Sequence, residues 1–325
     1  MQIITNKPKA VTLILVLMCL KSLGAMAQKA DTAFASDSIS GKNFPVIATF
    51  KSGLIINCQS NETLHKHDLL VDIAHRFGDI AGANGGVHNF YGLDNSTDIY
   101  ISFKYGITDR FTIGAGRAKG APNGVNTFQK ELYNLSLKYR LLQQTTDNRM
   151  PVSVTLYGNT IICGMEPLDL ATSDADFQKF GDRLSFTTQA IISRKFNSNF
   201  SLALLPTYIR RNYVSFMDMN NMFALGVAGR FKFTKRMAIV ADYTHSFRSS
   251  ESKDYYKNEN DFTFYNALGV GLEIETGGHV FNLSFTNSTA ILESQFVPST
   301  SSSWTSGQFR WGFNISRTFT LKRDK

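Results

Sequence analysis

The chain has 325 residues, with 34 basic against 26 acidic groups for a formal charge of +8, 26 Phe, 12 Tyr, 24 Gly and only 7 Pro. That mild positive excess contains no dense Lys/Arg run, which excludes a nucleic-acid binder. Beyond the N-terminus no apolar stretch reaches the ~20 residues that a transmembrane helix needs.

The chain opens "MQIITNKPKAVTLILVLMCLKSLGAMAQ". Lys7 and Lys9 precede an apolar run from Val11 to Leu20, and Ala25-Met26-Ala27 supplies a small-x-small site, the layout of a cleavable export signal over 1–27. The run is too short to span a bilayer, and Cys19 lacks the small residues that precede a lipidated cysteine. Cleavage removes three lysines, so the charge falls to about +5. Of the three cysteines, Cys58 and Cys163 remain; an oxidised pair and two free thiols both stay open, and their spacing does not indicate a metal site.

Residues 28–43 are polar and read as a flexible segment. Residues 44–66 begin "FPVIATFKSGLIINCQS", which is strand-like. Three placements stay open for them: a periplasmic segment, a partial strand, or a piece tucked inside a barrel.

From 67 to 322 the dominant signal is alternation of period two. Leu69, Val71, Ile73 and Phe77 share one face of the first run; Ile101, Phe103 and Tyr105, then Phe111, Ile113 and Ala115, form a hairpin around "GITD". Similar runs follow near 132–141, 151–162, 183–196, 199–210, 223–233, 237–247, 264–274 and 281–285. The last places Phe309, Trp311, Phe313, Ile315, Phe319 and Leu321 on one face. Twelve strands result (10 and 14 being the alternatives), and their connections alternate between short and long. A soluble sandwich has no reason to gather every long loop at one end. An antiparallel transmembrane β-barrel does, with short periplasmic turns and long outer loops.

The same pattern assigns faces. Tyr105, Phe111, Phe196, Phe200, Phe233 and Phe319 fall at the short-turn ends on the apolar face, where an aromatic girdle forms. His75, Arg117, Arg194, Arg210 and Arg317 interrupt the apolar face near strand ends. Inward positions hold Asp72, Arg76, Lys104, Lys138, Arg140, Gln189, Arg230, Lys232, Asp242, Glu273 and Arg310. Such mixed charges either pair across the lumen and plug it or line a water-filled path.

The blocks "HRFGDI" to "NFYGLDNS" (75–96), "YGITDRFTIGAGR", "LSFTTQAIISRKF", "ALGVAGRFKFTKR", "IETGGHVFNLSFTNS" and "WGFNISRTFTL" resemble an uncharacterised Bacteroidota-type family of outer-membrane β-barrels, a domain of unknown function. The resemblance runs from about Phe44 to Leu321. It implies a barrel in the outer membrane and carries over no catalytic residue.

Enzymatic chemistry finds little support. "GAGRAKG" (114–120) lacks the spacing and the helix of a dinucleotide fingerprint. His65 and His67 share a strand face but have no evident third ligand, so no metal and no cofactor is expected. In "YTHSF", His245 and Ser246 point to opposite faces and cannot form a nucleophile–base pair. The expected function is porin-like: passage of a small solute, or a narrow or plugged barrel serving as a surface scaffold, with no catalytic residue. The expected partners are outer-membrane lipid, lipopolysaccharide and, during biogenesis, the barrel-assembly machinery. An outer-membrane enzyme acting from its loops and a soluble secreted β-sheet protein are the alternatives.

Overall fold

The computed structural model describes residues 44–82 and 84–322. The expected export signal (1–27) and polar segment (28–43) lie outside the described residues. Twelve strands follow in order: β1 (Asp68–Asp79), β2 (Ser96–Thr108), β3 (Phe111–Ala118), β4 (Leu132–Leu142), β5 (Ser153–Cys163), β6 (Leu184–Lys195), β7 (Phe200–Arg211), β8 (Asn221–Lys232), β9 (Met237–Ser246), β10 (Ala267–Thr276), β11 (His279–Thr286) and β12 (Arg310–Thr320). Each pairs antiparallel with its neighbours in sequence. β1 also pairs with β12, in the register Leu69↔Phe319 and Ile73↔Ile315, so the sheet closes into a barrel with no free edge. This excludes the soluble two-sheet alternative.

The strands form because β-branched and aromatic side chains alternate with polar ones, and closure sends the two sets to opposite sides. In β4, Tyr133, Leu135, Leu137 and Tyr139 are exposed on the outer face, while Asn134 and Lys138 are buried within. Local turn chemistry sets the short connections. Thr108 Oγ1 accepts from the Phe111 N–H at 3.1 Å, Asn197 Oδ1 from the Phe200 N–H at 2.8 Å, and Thr234 Oγ1 from the Met237 N–H at 2.9 Å. These side chains substitute for backbone partners in the turn. β10 and β11 join through Gly277-Gly278, the second at φ +123°.

The long connections are more structured than their composition suggests. α1 (Ser250–Asn260) is capped by Ser249, whose Oγ accepts from the Ser252 N–H, and it ends on the left-handed Asp261. α2 (Glu293–Ser299) lies in the β11–β12 connection, and every one of its residues is buried. Two strand boundaries also differ from the periodicity. β10 begins at Ala267, because Phe264 is drawn into the loop under the Arg248 guanidinium, 3.6 Å from its ring centre, and Phe309 precedes β12 and stacks on Trp304 at 4.6 Å.

Candidate functional site

The barrel's interior is the candidate site, and it is filled from both ends. Residues 44–46 run beneath the short-turn end, where the Val46 N–H donates to Gln144 O at 2.7 Å. The chain then rises into the lumen and folds back: the Ile55 N–H donates to Cys58 O (2.8 Å) and the Ser60 N–H to Gly53 O (3.0 Å). It leaves through the same mouth, where the Leu64 N–H meets Thr112 Oγ1 and the Lys66 N–H meets Asp109 Oδ1, both at 2.9 Å.

The tip of this hairpin hangs on one carboxylate. Asp242 Oδ2 accepts from the backbone N–H groups of Ile56 (3.2 Å), Asn57 (2.6 Å) and Cys58 (2.8 Å), and Oδ1 accepts from Asn57 Nδ2 (2.9 Å). Carbonyls of the same hairpin are taken by barrel donors. Arg76 Nη2 reaches Ile56 O at 2.5 Å, Asn282 Nδ2 reaches Ile55 O at 2.5 Å, and Lys138 Nζ reaches Gly53 O and Ser60 O at 3.0 and 2.9 Å. Burial and the neighbouring Asp242 charge push the Cys58 thiol well up, and its Sγ rests 3.4 Å from Thr244 Oγ1. Cys163 is buried separately against Lys130 O, so neither cysteine is in a disulfide.

Beneath the hairpin the inner wall is apolar. Phe50, Ile55, Ile56 and Cys58 pack with Tyr157, Ile191, Ala203, Leu205, Ala228 and Val240 in one buried cluster. Burying three large apolar side chains of the hairpin contributes roughly 1.5–3 kcal/mol each. A water-filled bore would instead need polar groups at Ile191, Leu205 and Val240.

From the other end α2 descends into the lumen. Asp98, on β2, anchors the loop before it by accepting from the Ile291 N–H at 2.9 Å. Glu293 Oε1 accepts from Gln59 Nε2 at 2.9 Å. Above it the outer loops close over the buried Asp218, held by Arg211 (3.0 Å) and Arg248 (2.5 Å).

The eleven inward residues occupy this system in three ways. Arg76, Lys138 and Asp242 hold the hairpin. Asp72 pairs with Lys104 at 2.5 Å, Arg230 with Glu273 at 2.7 Å, and Arg310 with Asp79 at 2.5 Å, while Gln189 donates to Thr207 Oγ1 at 2.8 Å. At the short-turn mouth Arg140 binds Thr63 Oγ1 and Asp109 O, and Lys232 is half-buried. A cavity of about 380 Å³ remains there, lined by residues that include Lys51, Glu62, Lys104, Lys138 and Arg140.

On the outside, Phe233 and Phe319 are exposed at the short-turn rim. Tyr105, Phe111, Phe196 and Phe200 are half-exposed there, with Phe196 and Phe200 5.7 Å apart. The charges that break the belt lean on rings: Arg117 on Tyr133, Arg194 on Phe196 and Arg317 on Phe319. His75 lies against Phe77 at 4.2 Å. The histidine pair separates: His65 sits 3.5 Å from Asp109, and His67 Nδ1 lies 2.8 Å from the Tyr105 hydroxyl. His245 faces outward beside Asn266 and Phe247.

The sequence reading missed Asn57, Gln59 and Glu293, and with them the apolar inner wall. The signal was present in the doubly apolar pairs Ile191-Ile192, Leu204-Leu205 and Ile239-Val240. A strand apolar on both faces is covered on both faces.

Among solved structures the chain is similar to the KdgM porin, at 8% identity and a TM-score of 0.45 over 77% of this chain and 99% of that one. It is similar to the NanC porin, at 8% and 0.44 over 78% and 100%, and to an outer-membrane channel from Pseudomonas putida F1, at 13% and 0.42 over 80% and 98%. No curated protein matches the chain. A family model described as a membrane bound beta barrel domain of unknown function (DUF5777) matches residues 50–319, nearly the whole barrel and the lumen hairpin together, and the chain belongs to that family.

Proposed function

We propose that this protein is an outer-membrane barrel whose lumen is closed at rest, and that a small solute crosses it only when the hairpin and α2 move; with both in place it presents its outer loops as a surface scaffold. The observation that carries this reading is the apolar inner wall at Ile191, Leu205 and Val240, which the hairpin covers as a core covers a sheet. The girdle at the short-turn rim and the resemblance to Bacteroidota-type outer-membrane barrels support the location. The paired lumen charges support closure, since a buried ion needs its partner.

Planar-bilayer conductance tests the proposal. The whole chain is expected to stay near the background current. A variant lacking 44–61, with 289–303 replaced by a short Gly/Ser linker, is expected to give steady steps. The reading fails if the whole chain conducts at the level of that variant, or if the variant is silent while its gel migration remains heat-modifiable.

A further inference from the structure

We propose a binding site on the barrel's outer wall for one phosphorylated, multiply acylated lipid of the outer leaflet, built on β2–β5. Three rows of outward side chains define it. The ladder aligns Tyr105, Ile113, Leu137 and Gly158, then Phe103, Ala115, Leu135 and Thr160, then Ile101, Arg117, Tyr133 and Ile162. Ala115 is small and stands between Phe103 and Leu135, so the wall is dented where its neighbours protrude. The open groove has a volume of about 440 Å³. Lipid-facing walls are covered by acyl chains, and a groove between large side chains holds one chain in place by the same dispersion contacts that fill a core.

The second observation is charge. Directly above Ala115 on the same strand stands Arg117, exposed and 5.8 Å from the Tyr133 ring centre. Lys119 continues that face, its Nζ donating to Ser96 O at 2.7 Å, and Lys130 is exposed at the far end of the same β3–β4 connection, where the Glu131 N–H donates to Lys119 O. Three exposed cations thus stand at the outer rim of an apolar groove, with Glu131 half-buried beside Lys119. An arginine and two lysines above a hydrocarbon slot match a molecule that carries phosphate and acyl chain together. This site rests on the outer-membrane location proposed above, with the long loops outward, and is independent of the closure of the lumen.

Native mass spectrometry of the folded barrel in detergent, with bis-phosphorylated lipid A as probe, tests it. The wild type is expected to retain one lipid. Dephosphorylated lipid A is expected to bind at least tenfold more weakly, an arm that needs no variant. Ala115→Phe, which fills the groove, and the triple change Arg117→Gln, Lys119→Gln and Lys130→Gln are each expected to lower occupancy by a similar factor. Millimolar inorganic phosphate is expected to leave the adduct unchanged, which distinguishes a lipid site from a free-phosphate site. The proposal is overturned if no adduct forms, if dephosphorylation leaves occupancy unaltered, if inorganic phosphate displaces the lipid, or if the folded variants retain it like the wild type.

Discussion

Gln59 and Glu293 are 234 residues apart and meet inside the barrel, the amide of one donating to the carboxylate of the other at 2.9 Å. The first belongs to the hairpin that enters from the short-turn end, the second to the helix that descends from the outer loops. Asn159 Nδ2, on the barrel wall, approaches the same carboxylate at 3.4 Å. Burial raises the Glu293 carboxyl above its ordinary range. Occlusion is therefore a joint property of two segments, and changing either one tests the other.

Asp242→Ala is expected to release the hairpin. It removes the acceptor of three successive backbone N–H groups, and each buried donor left unpaired costs about 1–3 kcal/mol. Hydrogen exchange at Ile56, Asn57 and Cys58 is expected to accelerate by at least a hundredfold, while amides in β4 and β7 stay protected. Cys58 supplies a second readout, since its buried, proton-holding thiol is expected to react with maleimide only in the variant. Unchanged exchange at these three amides would show that the apolar wall alone holds the hairpin.

Gly269→Leu is expected to push the same tip out by steric conflict. A Cβ built at Gly269 lies 2.7 Å from Ile56 Cγ2 and 3.0 Å from both Asn57 Nδ2 and Asp242 Oδ1, so even alanine is tight and leucine has no room. Gly277→Leu, at a position with open space around it, is the control. Protease digestion from the short-turn side is expected to clip near residues 50–60 in the first variant and leave the second intact.

The barrel was legible because its physics repeats. Each strand alternates lipid-facing and lumen-facing residues, so one period identifies twelve elements. The fillings do not repeat. Beyond the hairpin's own two backbone bonds, its backbone groups pair with Asp242, Arg76, Asn282 and Lys138 rather than with a neighbouring strand, so the strand-like "SGLIINCQS" does not reveal its place in the lumen. α2 is seven residues long and contains Pro298, too short for a helical period to show. A continuous apolar run marks burial on both sides without saying what lies there, and only the three-dimensional wall at Ile191, Leu205 and Val240 supplies that.

The outer loops are expected to tighten as pH falls from 7 toward 5. Asp174, in the loop after β5, is pushed up to about 6 by burial, partly offset by the Phe128 N–H and by Arg211. An acid whose folded pKa exceeds its unfolded value of about 3.9 carries a penalty above the folded pKa, relieved as pH drops through it. The relief is on the order of 3 kcal/mol at most. Burial also pulls Asp218 upward, but Arg211 and Arg248 outweigh it and hold the carboxyl below its ordinary range. The stability it contributes is therefore present above the unfolded carboxylate pKa and is lost only at more acidic pH. Hydrogen exchange in residues 164–183 and 212–220 is expected to slow between pH 7 and 5 after correction for intrinsic rates. Asp174→Asn is expected to abolish that dependence, and a variant that keeps it would assign the effect to another group.

The outward face yields a prediction set by depth. Phe103 and Leu135 are both exposed in the middle of their strands, flanking Ala115, while Lys104 and Lys138 sit one residue from outward positions and are buried inside. If the outer face meets hydrocarbon, a lysine at 135 costs about 2–4 kcal/mol, the penalty for Lys or Arg at the bilayer midplane of a barrel. At 319, near the short-turn rim, the cost falls to about 0–1 kcal/mol because the side chain reaches headgroups. Leu135→Lys is therefore expected to lower the folded fraction in lipid vesicles, read by heat-modifiable gel migration, while Phe319→Lys leaves it nearly unchanged. In detergent micelles, which deform around a charge, the gap between the two variants is expected to shrink. Equal tolerance of lysine at both positions in vesicles would mean that the belt is not matched to a bilayer.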